Sequence, residues 1–248
     1  MASMLPSKLN TKAADLTRHR VIRDRLKADI EQLKRDHGGF CPHLVIVQVG
    51  GREDSTIYVN MKKKAAEEAG IKLTLERLPE TISQAHLLSL IQKHNDDAQV
   101  HGILVQLPLP AGFDSKAITE AVDSTKDVDG FDSLNMGNLA LRDGEPLFVP
   151  CTPKGVIELL RFYNVPIAGK NAVVIGRSNI VGMPMFNLLV KHDATVTLCH
   201  SKTENLQDKL KHADIVVAAA GKPELVKGEW LKPGVVVIDV GTNAVPGR

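Results

Sequence analysis

Hydrophobic and polar positions along the chain fall into short apolar runs separated by longer segments of helical period. Residues 44–49 (Leu-Val-Ile-Val-Gln-Val) form a continuous apolar strand stopped by Gly50-Gly51. Further strands are predicted at 71–77, 102–107, 171–176, 194–199, 214–220 and 235–240. Asp54 or Ser55 can cap a helix running to Gly70. Other helices are expected at 83–94, 115–122, 183–191 and 204–211, and one opens at Thr152-Pro153, with Thr as N-cap and Pro in the first helical position. Before all of these, Leu16, Ile22, Leu26, Ile30 and Leu33 recur at helical spacing and predict an amphipathic helix ending at Gly38-Gly39. Strands buried on both faces and alternating with helices mean parallel α/β sheets. Residues 130–150, rich in Gly, Asn and Pro, read as irregular chain. They suggest two α/β lobes, 1–149 and 150–248, with a cleft between them.

The segment 171–190 carries the most information. A strand runs into Gly176-Arg177-Ser178, a polar turn follows, and an apolar helix pattern begins around Gly182 and Pro184. A strand ending in glycine that feeds a helix N-terminus presents free N–H groups and a positive dipole end to a pyrophosphate. The spacing departs from G-x-G-x-x-G, since Ser178 and Val181 stand where glycines would be. A plain strand-to-helix turn is the alternative. The next strand ends in His200-Ser201-Lys202-Thr203, with no Asp or Glu to bind a ribose 2′-hydroxyl. Hydroxyls, a lysine and Arg177 suit a 2′-phosphate, which favours NADP over NAD; a solvated strand end is the other reading.

Composition narrows the class. The 248 residues are 43% hydrophobic, enough for one large or two ordinary domains. The formal charge of +2 does not call for nucleic acid, and Lys63/Glu67 and Lys64/Glu68 pair at i,i+4 as on a solvated helix face. Three scattered cysteines (41, 151 and 199) fit a reducing compartment and suggest neither disulfides nor zinc. No motif for a metal or for a Walker-type phosphate loop is present, no apolar run has membrane-spanning length, and the N-terminus lacks a secretory apolar core.

Several residues could do chemistry. Tyr58 and Lys62 share a helix face, so a ring and an amine could hold a flat substrate and move a proton. A surface tyrosine packed on a lysine stem is the plainer reading. Gln106 ends a buried strand, where ligands of open α/β sheets bind. Asp127 or Asp129 could accept from an N–H/NH₂ edge, or simply form an Asx-turn before Gly130.

Six segments, in order, then converge on a family: Tyr58-Val-Asn-Met-Lys62-Lys-Lys-Ala-Ala-Glu-Glu, Val105-Gln106-Leu107-Pro108-Leu109-Pro110, Lys126-Asp127-Val128-Asp129-Gly130, Pro150-Cys151-Thr152-Pro153-Lys154-Gly155, Gly176-Arg177-Ser178-Asn-Ile-Val-Gly182 and Cys199-His200-Ser201-Lys202-Thr203. From about residue 12 to Arg248 the chain resembles the bifunctional methylenetetrahydrofolate dehydrogenase/cyclohydrolase family. The resemblance implies oxidation of 5,10-methylenetetrahydrofolate by NADP, then hydrolysis of the methenyl product to 10-formyltetrahydrofolate. It implies proton transfer by Lys62, stacking by Tyr58, tuning of Lys62 by Gln106, and a pterin contact from Asp129. Val105 and Leu107 would line the folate site. Gly176, Arg177 and Ser178 would bind cofactor phosphates, Ser201 with Arg177 the 2′-phosphate, and Thr242 would touch the cofactor. The compact stretch from Gly182 to Ser201 resembles NADP-preferring members.

The resemblance also implies a homodimer with tetrahydrofolate substrates, in the cytoplasm, with a mitochondrial location left open. The family continues past Gly241-Thr242-Asn243 to a Pro-Val-Pro-Gly-Gly segment and a helix returning to the first lobe. This chain stops at Arg248, which gives the expectation of a C-terminally truncated member. A form that binds NADP or a partner without turnover, and another NADP-linked dehydrogenase on the same architecture, are the alternatives.

Overall fold

The computed structural model describes residues 11–241, which divide into two compact units, one up to Val128 and one from Asp129. In the first, α1 (Thr11–Asp36) precedes β1 (His43–Val49), α2 (Glu53–Ala69), β2 (Lys72–Leu78), α3 (Gln84–Asp96), β3 (Gly102–Val105) and α4 (Ser115–Glu120). The strands form a parallel sheet in the order β2-β1-β3. Val45, Val47, Val49, Ile103 and Val105 point to one face, where they meet Leu87 and Ile91 of α3 and Ile118 of α4. Ile46 and Leu104 point to the other and meet Val59 of α2. Covered on both faces, these strands have no use for alternation, and each fully buried aliphatic side chain contributes about 1.5–3 kcal/mol.

Local chemistry sets the helix ends. Ser83 Oγ accepts from the His86 N–H at 3.2 Å and caps α3. At the other end of α3, Lys126 Nζ donates to the carbonyls of His94, Asn95 and Asp97 at 3.2, 2.7 and 2.8 Å. A cation there complements the negative end of the helix dipole. Gly70, at φ +83°, closes α2. The start of α2 differs from expectation. Arg52 holds the cap position without capping the helix through its side chain, and Asp54 lies inside the first turn, accepting from Ser55 N and Arg52 Nε at 2.7 Å each. The α1 helix is present, but of its expected apolar stripe only Ile30 is buried, while Ile22, Leu26 and Leu33 are 38–45% exposed; Leu16 lies outside the described side chains.

The second unit holds α5 (Ser133–Ala140), α6 (Cys151–Phe162), β4 (Asn171–Ile175), α7 (Gly182–Lys191), β5 (Thr195–Cys199), α8 (Leu206–Leu210), β6 (Ile215–Ala218) and β7 (Val236–Asp239). Its parallel sheet has the order β5-β4-β6-β7. Ala172, Val174, Ile215 and Val217 pack with Ile157 and Leu160 of α6 and Met185 and Leu189 of α7. Val173, Ile175, Cys199 and Val216 pack with Leu210 on the opposite face.

Two local readings are corrected. Residues 133–140 are helical rather than irregular. Asp132 caps this helix by accepting from Leu134 N and Asn135 N, and Leu139 anchors it in the core. Eight residues interrupted by Asn and Gly are too short for the helical period to show. Helix α6 begins at Cys151, so Pro153 is its third residue and Thr152 lies within the helix rather than capping it.

Candidate active site

In the first unit, chemistry gathers at the carboxyl edge of the sheet. Lys62, half-buried on α2, donates from Nζ to Gln106 Oε1 at 3.2 Å. Gln106 Nε2 donates to its neighbour's carbonyl, Leu107 O, at 2.7 Å, which fixes the orientation of the amide. A neutral amide of this kind holds the amine in place without taking its proton. Tyr58 lies one turn before Lys62 and is 49% exposed, leaving its ring free to meet a ligand. Ser55, 5% exposed, falls on the same helix face. Sequence reasoning raised Ser55 only as a cap. Val105 turns its side chain into the core on the opposite face of the strand, so toward a ligand it can offer main-chain atoms alone. Leu107 is half-buried and precedes a cis bond to Pro108.

Beside this pair lies a residue the sequence reading did not single out. Gln48 is 2% exposed near the end of β1. Its Nε2 donates to Thr56 Oγ1 at 2.9 Å, and that hydroxyl donates to Arg52 O at 2.9 Å. Because the hydroxyl proton is committed to Arg52, Thr56 can only accept from Gln48, and the amide orientation follows. Gln48 Oε1 is buried with no hydrogen-bond partner among the described residues. Such a group costs about 1–3 kcal/mol of stability. The available signal was one polar side chain in an otherwise apolar strand, two residues beyond Ile46.

The acidic candidates separate. Asp127, 5% exposed, pairs with Ile103 in an isolated parallel bridge at the edge of the sheet. Asp129 is half-buried and is the first residue of the second unit. Gly130 follows at φ +64°, where a β-carbon would lie 2.6 Å from Phe148 O.

In the second unit the carboxyl edge is shaped by backbone clearance. Gly176 has φ +121°, and a β-carbon there would lie 2.4 Å from Ala219 O. A β-carbon at Gly182 would lie 2.2 Å from Gly176 O. Gly182 therefore packs on the carbonyl of Gly176 across a turn folded back on itself, while Gly176 lies against Ala219 at the end of the neighbouring strand. Ser178 Oγ accepts from Val181 N at 3.2 Å and Gly182 N at 3.3 Å, so this hydroxyl shapes the turn.

On the adjacent strand, Gly176 N donates to Cys199 O at 2.8 Å, which brings Arg177 and Ser201 to neighbouring strand ends. Arg177, Ser201 and Lys202 are exposed, and neither Arg177 nor Lys202 forms an ion pair among the described residues. Thr203 is engaged locally, its Oγ1 accepting from His200 N at 2.8 Å. Burial pushes the Cys199 thiol up, which keeps it protonated beneath this edge. A glycine turn at a helix N-terminus beside two cations without an ion pair among the described residues, with no acidic residue from 200 to 203, fits a dinucleotide bearing an extra phosphate. Thr242 lies outside the described residues.

A glycine turn feeding a helix on one parallel sheet, and a lysine held by an amide at the edge of another, define a class of two-sheet α/β proteins with a nucleotide-binding type of turn. The particular family follows from comparison. Residues 16–129 match the catalytic domain of tetrahydrofolate dehydrogenase/cyclohydrolase and residues 150–248 its NAD(P)-binding domain, and the chain belongs to this family.

The chain is 55% identical over 227 residues to the cytoplasmic C-1-tetrahydrofolate synthase of Schizosaccharomyces pombe, covering 92% of this chain and 24% of that protein. It is 53% identical over 224 residues to the chloroplastic bifunctional protein FolD 4 of Arabidopsis thaliana, covering 90% and 62%. It thus spans about a quarter of the length of the first and under two thirds of the second. The bifunctional FolD structure from Campylobacter jejuni superposes with a TM-score of 0.89 at 43% identity, covering 93% of this chain and 80% of that one. The Trypanosoma brucei methylenetetrahydrofolate dehydrogenase-cyclohydrolase, complexed with NADP cofactor and inhibitor, gives 0.89 at 40% identity, covering 94% and 80%. Relatives are cytoplasmic, mitochondrial and chloroplastic, and no helix among the described residues is long and apolar enough to cross a membrane.

Proposed function

We propose that this chain oxidises 5,10-methylenetetrahydrofolate to the 5,10-methenyl form with NADP and hydrolyses that product to 10-formyltetrahydrofolate. The observation that carries the reading is the Lys62–Gln106 hydrogen bond, an amine held by a neutral amide at the carboxyl edge of a sheet. Bound NADP would supply the hydride acceptor.

The protein's own part is binding and proton movement. Tyr58 would stack on the p-aminobenzoyl ring, Val105 and Leu107 would border it, and Asp129 would accept from the pterin's 2-amino/N3 edge. When water adds to the methenyl carbon, Lys62 would take the proton released and return it to the ring nitrogen as the C–N bond breaks. Gln106 would keep the amine in place through both transfers.

Gly176 and Gly182 let the turn close on its own backbone, and its main-chain N–H groups would meet the cofactor's phosphates. Arg177 and Ser201 would hold the 2′-phosphate, and Ser178 would keep the turn's shape while Thr242 adds a cofactor contact. Residues 1–149 then act as the folate-binding catalytic domain and 150–248 as the NADP-binding domain. A homodimer in the cytoplasm completes the reading.

The test is a spectrophotometric assay of the purified chain with methylenetetrahydrofolate and either NADP⁺ or NAD⁺. Methenyl and NADPH formation favouring NADP⁺ is expected. Folded protein that binds NADP⁺ but gives no product would overturn the catalytic reading and leave a cofactor-binding protein.

A further inference from the structure

We propose that Gln48 is a positioning residue for Lys62, acting through Thr56 to lock α2 against the sheet; the inference rests on the function proposed above. The strand register pairs Val47 with Val105, and Gln106 N donates to Val47 O at 2.8 Å, so the next step sets Gln48 beside Gln106. Both amides lie on the α2 face, two residues beyond the Ile46 and Leu104 that pack on Val59. Each reaches α2 at a different height: Gln48 holds Thr56, and Gln106 holds Lys62. Six residues of helix put these ties about 9 Å apart along its axis. One tie would let the helix rock about its contact; two fix both its height and its rotation.

The first tie matters because α2 has no side-chain cap. Thr56 spends its hydroxyl proton on Arg52 O, which also accepts from Thr56 N at 3.0 Å, so it is the contact with Gln48 that ties this uncapped first turn to β1. Gln48 Oε1, buried with no partner among the described residues, supports a role beyond folding. A methionine or leucine would fill the same space without burying a lone carbonyl oxygen, so stability alone would not select an amide here. The tie to Thr56 is what an apolar side chain could not supply.

The experiment compares the wild type with Gln48→Met, Thr56→Val, Thr56→Ser and the Gln48→Met/Thr56→Val double variant. Gln48→Met is expected to keep or raise the thermal midpoint while lowering cyclohydrolase kcat about tenfold, with KM for NADP⁺ unchanged, a loss of catalytic alignment without loss of fold. Thr56→Val should match it in kcat but with a lower midpoint, because Gln48 Nε2 is left buried without its acceptor; the double variant should regain that midpoint and be no worse in kcat than either single, and Thr56→Ser should keep turnover.

Wild-type kcat in Gln48→Met, additive losses in the double variant, or a kcat loss in Gln48→Met that only follows a fall in midpoint would each overturn the proposal. A second readout is independent of turnover. The side-chain amide resonance of Gln106, identified by its disappearance in Gln106→Met, should shift in Gln48→Met. An inactive wild-type chain would sink the proposed function, and an unmoved Gln106 resonance would by itself sink the positioning role.

Discussion

At the carboxyl edge of the three-stranded sheet, the working groups are side chains already tied to one another. Lys62 is bonded to Gln106, Gln106 to Leu107 O, and Gln48 to Thr56. At the same edge of the four-stranded sheet, the working features are a turn that closes on its own backbone through Gly176 and Gly182 and two exposed cations, Arg177 and Lys202, that form no ion pair among the described residues. The contrast follows from the tasks proposed for them. A proton-transfer group must be held within a fraction of an ångström, so its partners are built in. A site for a polyanion needs space for backbone approach and charges left available, since a cation already paired internally would have to break that pair to bind.

Substitutions can break this division. Lys62→Met should cut cyclohydrolase turnover about 10²- to 10⁴-fold, the usual worth of general acid–base catalysis, while NADP⁺ affinity by titration stays at the wild-type value. A parallel loss of NADP⁺ binding would mean that the two edges are not separate in function. Arg177→Ser should lower NADP⁺ affinity about 10- to 100-fold, the worth of about 1.5–3 kcal/mol for a charge-assisted bond, and leave NAD⁺ affinity nearly unchanged. An equal loss for both cofactors would show that Arg177 does not read the 2′-phosphate.

Gly182→Ala should destabilise the chain by about 1–3 kcal/mol in denaturant titration, because the added methyl meets the backbone of Gly176 rather than a side chain that can move. Wild-type stability would mean that the turn can open. Lys126→Met should cost about 1–2 kcal/mol by removing the cation from the carbonyl end of α3, a loss to be read from the urea midpoint.

The smallest expected effect is a pH dependence. His94 is 8% exposed, and burial holds its pKa below the ordinary 6.5, with Glu76 opposing that shift and Lys93 adding to it. The folded state therefore binds this proton less readily than the unfolded chain does. Stability contributed by neutral His94 is present above the unfolded value and is lost as pH falls below about 6.5. The thermal midpoint should decline more steeply between pH 6.5 and 5 in the wild type than in His94→Gln, and equal slopes would remove His94 as the cause.

Much of this was legible before folding. The apolar runs place β1, β3, β4 and β6 because strands covered on both faces leave an unbroken pattern. Lys62 and Tyr58 are neighbours by helical arithmetic alone. Helix α5 was not legible, because its eight residues bury few side chains and hold Asn and Gly that resemble a turn. Gln48 was hidden for the opposite reason. In sequence it is one polar letter in an apolar strand, and its partner Thr56 stands in the next element.

By itself, the sequence determined the α/β class, the two sheets' worth of strands, the glycine turn and the residue types at both edges. These depend on local period, backbone permissiveness and charge, which are properties of neighbouring residues. Only the tertiary structure decided that Gly176 and Gly182 touch, that Lys126 serves as the cap of α3, and that Gln48 and Gln106 stand side by side beneath one helix. Those pairings depend on strand register and on how a helix seats on a sheet, which are set by the whole core and not by any segment within it.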